Sequence, residues 1–261
     1  MLDKLISLDQ ELFIYLNGLG VESWDAFWMF YTTKFNWIPF YAFLLYLLFK
    51  HKNLRPFLVT IISIALMITF TDQVTNLFKG GFMRLRPCHE PDVAEFMRLV
   101  KASCGGRHGF FSGHSSNSMA LAIFIGLTFK RTYKFLFPLM IFWALFMAYS
   151  RIYVGVHFPI DIISGIYFGI FSGYIFSLIF FNNCLILISQ SNKVSSFFSS
   201  NAKLYKSFKL AISLTESLFQ LVEEYMKLKP LWLEVLHRML HLLVSSLMSI
   251  LMEKPHGRMS G

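Results

Sequence analysis

Five long apolar runs limit what this chain can fold into. They cover residues 27–49, 56–78, 109–129, 135–150 and 158–189, and each contains at most one charged or histidine residue. A membrane-crossing helix needs about 20 mainly apolar residues. Only 15% of the residues are charged, whereas a soluble domain has about 25%. The sequence therefore predicts an all-α, integral-membrane helical bundle with about five to six transmembrane helices.

The segment before the first run has a different pattern. The stretch "LDQELFIYLNGLGVESWDAF" (8–27) mixes apolar with acidic residues, which is typical of a helix that lies in the membrane interface. The first 25 residues also lack the basic start and the uninterrupted apolar core of a secretory signal. We therefore expect an interfacial helix here, with a shallow or re-entrant sixth membrane element as the alternative.

Positive charges at the ends of the runs indicate an orientation in the membrane. The net charge is +9, and "KHKNLR" (50–55) and "KRTYK" (130–134) follow the first and third runs. Short loops rich in Lys and Arg stay in the cytoplasm, so the loops after the second and fourth runs should face outward. The outer loop 79–108 is nevertheless basic, with Lys79, Arg84, Arg86, Arg98, Lys101 and Arg107. A phosphate-binding site explains this exception, and a reversed topology is the alternative.

This charge distribution also bears on the partners and the location of the protein. The positive residues do not form a basic stripe interleaved with aromatic residues, so no nucleic-acid partner is predicted. The expected location is the inner membrane of a bacterium, with the site facing outward.

The alternation of the spans brings polar residues together at one membrane face. The end of the second run (Lys79–Pro87), the start of the third (Ser112–His114), the end of the fourth (Ser150, Arg151) and the start of the fifth (His157, Asp161) all fall there. Ionisable groups at membrane depth are costly and are therefore candidates for function. A structural role at the membrane interface is the alternative for each residue taken alone.

The residue types in this group fit phosphate chemistry. The guanidinium groups of Arg86 and Arg151 match pairs of phosphate oxygens, and Lys79 adds a point charge. The segment "FSGHSS" opens a helix, so its N–H groups point at the same place. His157 and Asp161 are four residues apart, which puts the carboxylate one turn from the imidazole. Asp161 can then fix the tautomer of His157 for attack, and His114 can act as the general acid, with no role left for a metal.

Three blocks in the chain resemble the signature of the type 2 phosphatidic acid phosphatase family. That signature reads K-x6-RP, PSGH and SR-x5-H-x3-D. The chain has "KGGFMRLRP" (79–87), "FSGH" (111–114) and "SRIYVGVHFPID" (150–161), so only Phe111 departs from it, in place of proline. The resemblance covers about residues 8–182. The five apolar runs argue against the soluble haloperoxidases that share these blocks.

The resemblance implies a role for each matching residue. Lys79, Arg86, Ser112, Gly113 and Arg151 would bind phosphate, and His157 would attack phosphorus to form a phosphohistidine. Asp161 would orient His157, and His114 would protonate the leaving group and then activate water. No metal or other cofactor is implied.

The resemblance also implies a lipid phosphate or diphosphate as the substrate. Our leading expectation is an undecaprenyl-diphosphate phosphatase, and the alternatives are a phosphatidate, phosphatidylglycerophosphate or lipid A phosphatase. A catalytically silent membrane scaffold is the alternative from another class. A scaffold would not need six intact signature residues: Lys79, Arg86, His114, Arg151, His157 and Asp161.

The remaining features concern the outer loop and the C-terminal part. Cys88 and Cys104 would pair in an oxidising compartment, and two free thiols are the alternative. We expect a membrane-embedded phosphatase domain at 1–182, a polar linker at 183–203 and an amphipathic helical tail at 204–261. His237 and His241 have the spacing of metal ligands, but the tail shows no third ligand, so no metal site is predicted.

Overall fold

The computed structural model describes residues 2–52 and 54–189. Within these ranges the regular elements are α1 (Leu2–Gly18), α2 (Glu22–Thr32), α3 (Ile38–His51), α4 (Leu54–Phe82), α5 (Pro91–Ala94), α6 (Gly113–Phe129), α7 (Leu136–Tyr153) and α8 (Pro159–Ser189), with short 3-10 turns at Lys34–Trp37 and Pro87–His89. The helical fold class predicted from the sequence is confirmed. The chain after Ser189, which includes the expected tail and most of the expected linker, lies outside the described residues.

Three helices in the described part of the chain are long and apolar enough to cross a membrane. Their candidate spans are Pro56–Phe82, Leu136–Tyr153 and Pro159–Phe180, and they correspond to the second, fourth and fifth predicted runs. The third run forms α6, which has 17 residues and is therefore about 25 Å long. Residues 109–112 of that run are not helical, because Ser112 caps the helix that starts at Gly113.

The first predicted span is interrupted and is not one continuous helix. Helix α2 ends at Thr32, a 3-10 turn follows, and α3 begins at Ile38. Pro39 explains the break, because proline has no N–H to donate and its ring clashes with the carbonyl four residues earlier. The Trp37 Nε1 donates to the carbonyl of Tyr31 at 2.8 Å, which satisfies part of the freed backbone. The break places Thr32 against the end of α7.

Helices α6 and α8 pack closely along three glycines of α8. A Cβ atom on Gly165, Gly169 or Gly173 would lie 2.7, 2.5 and 2.5 Å from the carbonyl oxygens of Ser112, Ser116 and Ala120, respectively. Small residues four positions apart let two membrane helices approach until their backbones touch. This contact fixes the start of α6 beside the start of α8, and it therefore positions the polar residues at both helix ends.

Candidate active site

His157 lies in the short loop between α7 and α8, buried from solvent. Its Nδ1 is 3.3 Å from Oδ2 of Asp161, so Nε2 is the nitrogen that is left for attack on a substrate. Burial, together with the positive charges of Arg151, Arg86 and Lys79, holds the pKa of His157 well below its usual range. The imidazole is therefore neutral at physiological pH, which is the form that a nucleophile requires.

Asp161 is fully buried and is held by hydrogen bonds on both carboxylate oxygens. Its Oδ2 accepts from the backbone N–H of Phe158 at 3.1 Å, and its Oδ1 accepts from Nη1 of Arg84 at 2.8 Å. Its backbone carbonyl accepts from the N–H of Ser112 at 3.0 Å. The side chain thus has one orientation, facing the ring of His157, and the last of these bonds links it to the start of α6.

Arg86 is held by carbonyl groups of the outer loop. Its Nη1 donates to the carbonyl of Cys104 at 2.7 Å and its Nε donates to that of His108 at 3.2 Å. Gly105, which has a φ of +80°, lets the loop approach: a Cβ there would lie 3.2 Å from Nη1 of Arg86. A Cβ on Gly109 would lie 3.2 Å from Cγ of Arg86 and 3.5 Å from Nδ1 of His157. The loop therefore places Arg86 next to His157.

Arg151, on the last turn of α7, is almost completely buried. Its Nη1 donates to the hydroxyl of Thr32, and its Nε is buried without a hydrogen-bond partner among the described residues. Lys79, at the end of α4, reaches the start of α6, since a Cβ on Gly113 would lie 3.8 Å from its Nζ. Within the described ranges, neither Lys79, Arg86 nor Arg151 has a carboxylate within 4.0 Å. A group of uncompensated, partly buried cations favours the binding of an anion.

The first turn of α6 places Gly113 beside Lys79 and also carries His114. Ser112 caps the helix, because its hydroxyl oxygen accepts from the N–H of Ser115 at 3.4 Å and from its hydroxyl at 3.0 Å. Phe111, which stands where the family signature has proline, is buried against Phe78 and Phe168, with ring centroids 5.1 Å away in both cases. The departure from the signature therefore leaves the helix start intact.

Sequence reasoning missed four residues around this site. Arg84 was noted only as part of a basic loop, yet it is paired with both Asp161 and Asp9. Lys101 and Lys34 are further cations, and their charges act on His114 less strongly than burial and the charges of Arg151 and His157. Burial, together with the positive charges of Arg151 and Arg86, lowers the pKa of Lys101. The six basic residues of loop 79–108 were a signal for Lys101. Nothing in the sequence singled out Asp9, because only the packing of α1 shows that it is buried.

The outer loop is closed by a disulfide between Cys88 and Cys104, whose Cα atoms are 6.3 Å apart. His89 lies beside them, and the potential ligand atoms of these three residues are within 4.8 Å of one another. Sulfurs that are bonded to each other are not the thiolates that bind a metal. The pair therefore serves to hold the loop whose carbonyl groups orient Arg86.

Comparison with known proteins identifies the family of this chain. Residues 57–184 match the model of the PAP2 superfamily. The chain is 36% identical over 181 residues to the lipid A 4'-phosphatase of Bacteroides thetaiotaomicron, an overlap that covers 69% of this chain and 80% of that protein. The chain belongs to the PAP2 superfamily. The resemblance seen in the three sequence blocks is thereby confirmed, and this PAP2 protein is an integral membrane enzyme that hydrolyses phosphoric esters of lipids.

One further relative and one solved structure extend the comparison. The PAP2 chain is 30% identical over 168 residues to an undecaprenyl-diphosphatase of Sulfolobus acidocaldarius, covering 62% of this chain and 74% of that protein. Its fold is similar to the crystal structure of a transmembrane PAP2-type phosphatidylglycerolphosphate phosphatase from Bacillus subtilis. The TM-score is 0.54 with 17% identity, and the match covers 74% of this chain and 89% of that one.

Proposed function

We propose that this PAP2 phosphatase removes phosphate from a lipid A-type glycolipid through a phosphohistidine at His157. The observation that carries the mechanism is the arrangement of Lys79, Arg86 and Arg151, three cations without a nearby carboxylate in the described structure, around a buried and neutral histidine. Such an arrangement stabilises the charge that develops on the equatorial oxygens during phosphoryl transfer.

The reaction proceeds in two displacements at phosphorus. The Nε2 of His157 attacks, the P–N bond forms, and the P–O bond to the leaving group breaks. The negative charge of the bound phosphate favours the protonated form of His114, which gives its proton to that leaving oxygen. His114 then takes a proton from a water molecule that attacks the phosphohistidine, and inorganic phosphate leaves. Asp161 keeps the proton of His157 on Nδ1 during the first step, because its Oδ2 faces that nitrogen.

The substrate assignment differs from the leading expectation drawn from the sequence. Lipid A is supported by the relative with 36% identity, whereas undecaprenyl diphosphate is supported by the relative with 30% identity. The outer loop 79–108, which has six Lys and Arg residues, favours a substrate with more than one negative group. Both lipids carry a second phosphate. We therefore retain undecaprenyl-diphosphate hydrolysis as the second candidate.

A substrate panel with the purified protein tests this proposal. Lipid A, undecaprenyl diphosphate, phosphatidate and phosphatidylglycerophosphate are offered at equal concentrations in mixed micelles, with and without EDTA, and phosphate release is measured. We expect the highest kcat/KM for lipid A, activity in EDTA, and inhibition by vanadate. Preference for undecaprenyl diphosphate would select the second candidate. Release of phosphate from none of the four lipids would contradict the proposed function.

We further propose that the site faces outward from the inner membrane of a bacterium. The support is the basic character of the loops 50–55 and 130–134 at the opposite end of the spans. The phosphate product would then be released on the outer side of that membrane.

A further inference from the structure

Arg84, the first arginine of the outer loop, has surroundings unlike those of the phosphate-binding cations. Its Nη1 donates to Oδ1 of Asp161 at 2.8 Å, and its Nη2 donates to Oδ2 of Asp9. Its guanidinium carbon lies 4.5 Å from the centroid of the Phe158 ring. Two carboxylates and an aromatic face therefore surround this cation. Because they compensate its positive charge, Arg84 is not a binding group for the substrate phosphate.

Asp9 contributes a second contact, to the start of α8. Its Oδ1 accepts from the backbone N–H of Ile160 at 2.9 Å, which is one of the N–H groups that a helix start leaves without an internal partner. The carboxylate side chain is only 2% exposed. Asp9 thus holds the turn of α8 that carries Asp161, and it also holds the arginine that contacts Asp161.

The rest of α1 fixes the position of Asp9. Phe13 and Asn17 follow Asp9 at intervals of four residues, so the three side chains lie on one helical face, and all three are buried. The ring of Phe13 packs 5.3 Å from that of Phe158. The Nδ2 of Asn17 donates to the carbonyl groups of Ile152 and Tyr153, both at 3.0 Å. This face of α1 therefore contacts the chain on both sides of the nucleophile loop.

We propose that α1 completes the active site, with Asp9 acting as a positioning residue: it holds Arg84 against Asp161 and thereby sets the orientation and the charge of the carboxylate that orients His157. Neither Asp9 nor Arg84 is a fixed position of the family signature, and Asp9 lies outside the residues that the family model matches. The inference rests on the assignment of His157 as the nucleophile under the proposed function.

The physical reason lies in how the charge of Arg84 is shared. With Asp9 in place, the guanidinium divides its attraction between two carboxylates. Without Asp9, the whole attraction of Arg84 acts on Asp161. Arg84 then competes with the ring of His157 for the carboxylate of Asp161. Loss of the Asp9 carboxylate should slow the attack on phosphorus. Binding of the lipid should not change, because Lys79, Arg86 and Arg151 remain in place.

The experiment compares Asp9→Asn with Glu11→Gln in the full chain, using the lipid that the wild type hydrolyses best. Glu11 is exposed on the same helix, so Glu11→Gln makes the same chemical change away from the site. We expect Asp9→Asn to lower kcat about 10- to 100-fold, the range seen when a residue that orients an active-site ligand is lost. KM should stay within about twofold, and Asp9→Glu should restore part of kcat.

A double-mutant cycle separates a positioning role from a structural one. If Asp9 acts through Arg84, Asp9→Asn should have little further effect on kcat in an Arg84→Gln background. A wild-type kcat in Asp9→Asn, or additive losses in the cycle, would overturn the proposal. Failure of both Asp9→Asn and Asp9→Glu to give a folded protein would also overturn it, since Asp9 would then be a structural residue. A wild type without lipid phosphatase activity would instead contradict the proposed function.

Discussion

At the scale of single residues, Arg84 and Arg86 lie two positions apart but have different surroundings. Arg84 is paired with two carboxylates. Among the described residues, the guanidinium of Arg86 is held by the carbonyl groups of Cys104 and His108. A carbonyl group orients a guanidinium without cancelling its charge. Arg86 therefore keeps a full positive charge for the substrate, and the same residue type serves two purposes in one short segment.

This difference predicts the effect of removing Arg86. Arg86→Gln should lower kcat/KM about 100-fold, since a donor aimed at the charge of the transition state is lost. The inhibition constant of vanadate should rise in parallel. Phosphate release and vanadate titration measure both quantities. Arg107→Gln removes an exposed cation from the same loop and should change neither, and an equal effect in this control would mean that only the overall charge of the loop matters.

The two histidines of the site should give distinct defects. His157→Ala should lower turnover about 10,000-fold or more, because the nucleophile is lost. His114→Ala should still form the phosphoenzyme from a substrate with a good leaving group, such as a nitrophenyl ester, and then stall, because no base activates water. A burst of nitrophenol followed by a plateau is the measurement. His89→Ala, in the exposed part of the loop, should behave as wild type, and full turnover in His157→Ala would contradict the mechanism.

At the scale of elements, the glycines of α8 determine how closely it meets α6. Gly169→Ala should destabilise the protein by about 1–3 kcal/mol, the usual cost of overpacking, since the new Cβ would lie 2.5 Å from the carbonyl oxygen of Ser116. Thermal unfolding in detergent, followed by tryptophan fluorescence, measures this cost. Gly80→Ala in α4 has nothing within 4 Å of the added Cβ and should be neutral. Equal unfolding temperatures for both variants would show that α6 and α8 can separate without cost.

The sequence predicted the elements near the signature better than those before it. The blocks at Lys79, Ser112 and His157 lie at span ends, and the alternation of the spans is enough to bring them to one face. The pairing of Arg84 with Asp9 joins residues 75 positions apart, and hydropathy carries no information about which face of α1 meets which loop. Pro39 is a signal for the break after Thr32. The apolar character of residues 27–49 nevertheless led to the prediction of one continuous span.

At the scale of the whole molecule, the positive charges divide between the two membrane faces for different reasons. Those at 50–55 and 130–134 have the pattern that is typical of cytoplasmic loops. Lys79, Arg86 and Arg151 lie around His157, and under the proposed function they serve the chemistry and carry no information about orientation. With these three set aside, the loops 50–55 and 130–134 have six Lys and Arg residues and the outer loop has four, namely Arg84, Arg98, Lys101 and Arg107. This balance favours a site that faces outward.

Labelling of single cysteines tests this orientation. Cys184 is first replaced by Ser, and Cys88 and Cys104 are kept, because a disulfide does not react with maleimide. Ala94→Cys, on the exposed part of the outer loop, should react with a membrane-impermeant maleimide in intact cells. Thr132→Cys, exposed between α6 and α7, should react only after the cells are opened. The physical reason is that Lys130, Arg131 and Lys134 keep their loop in the cytoplasm. The reverse labelling pattern would place His157 on the cytoplasmic side, and the enzyme would then act on lipids of the inner leaflet.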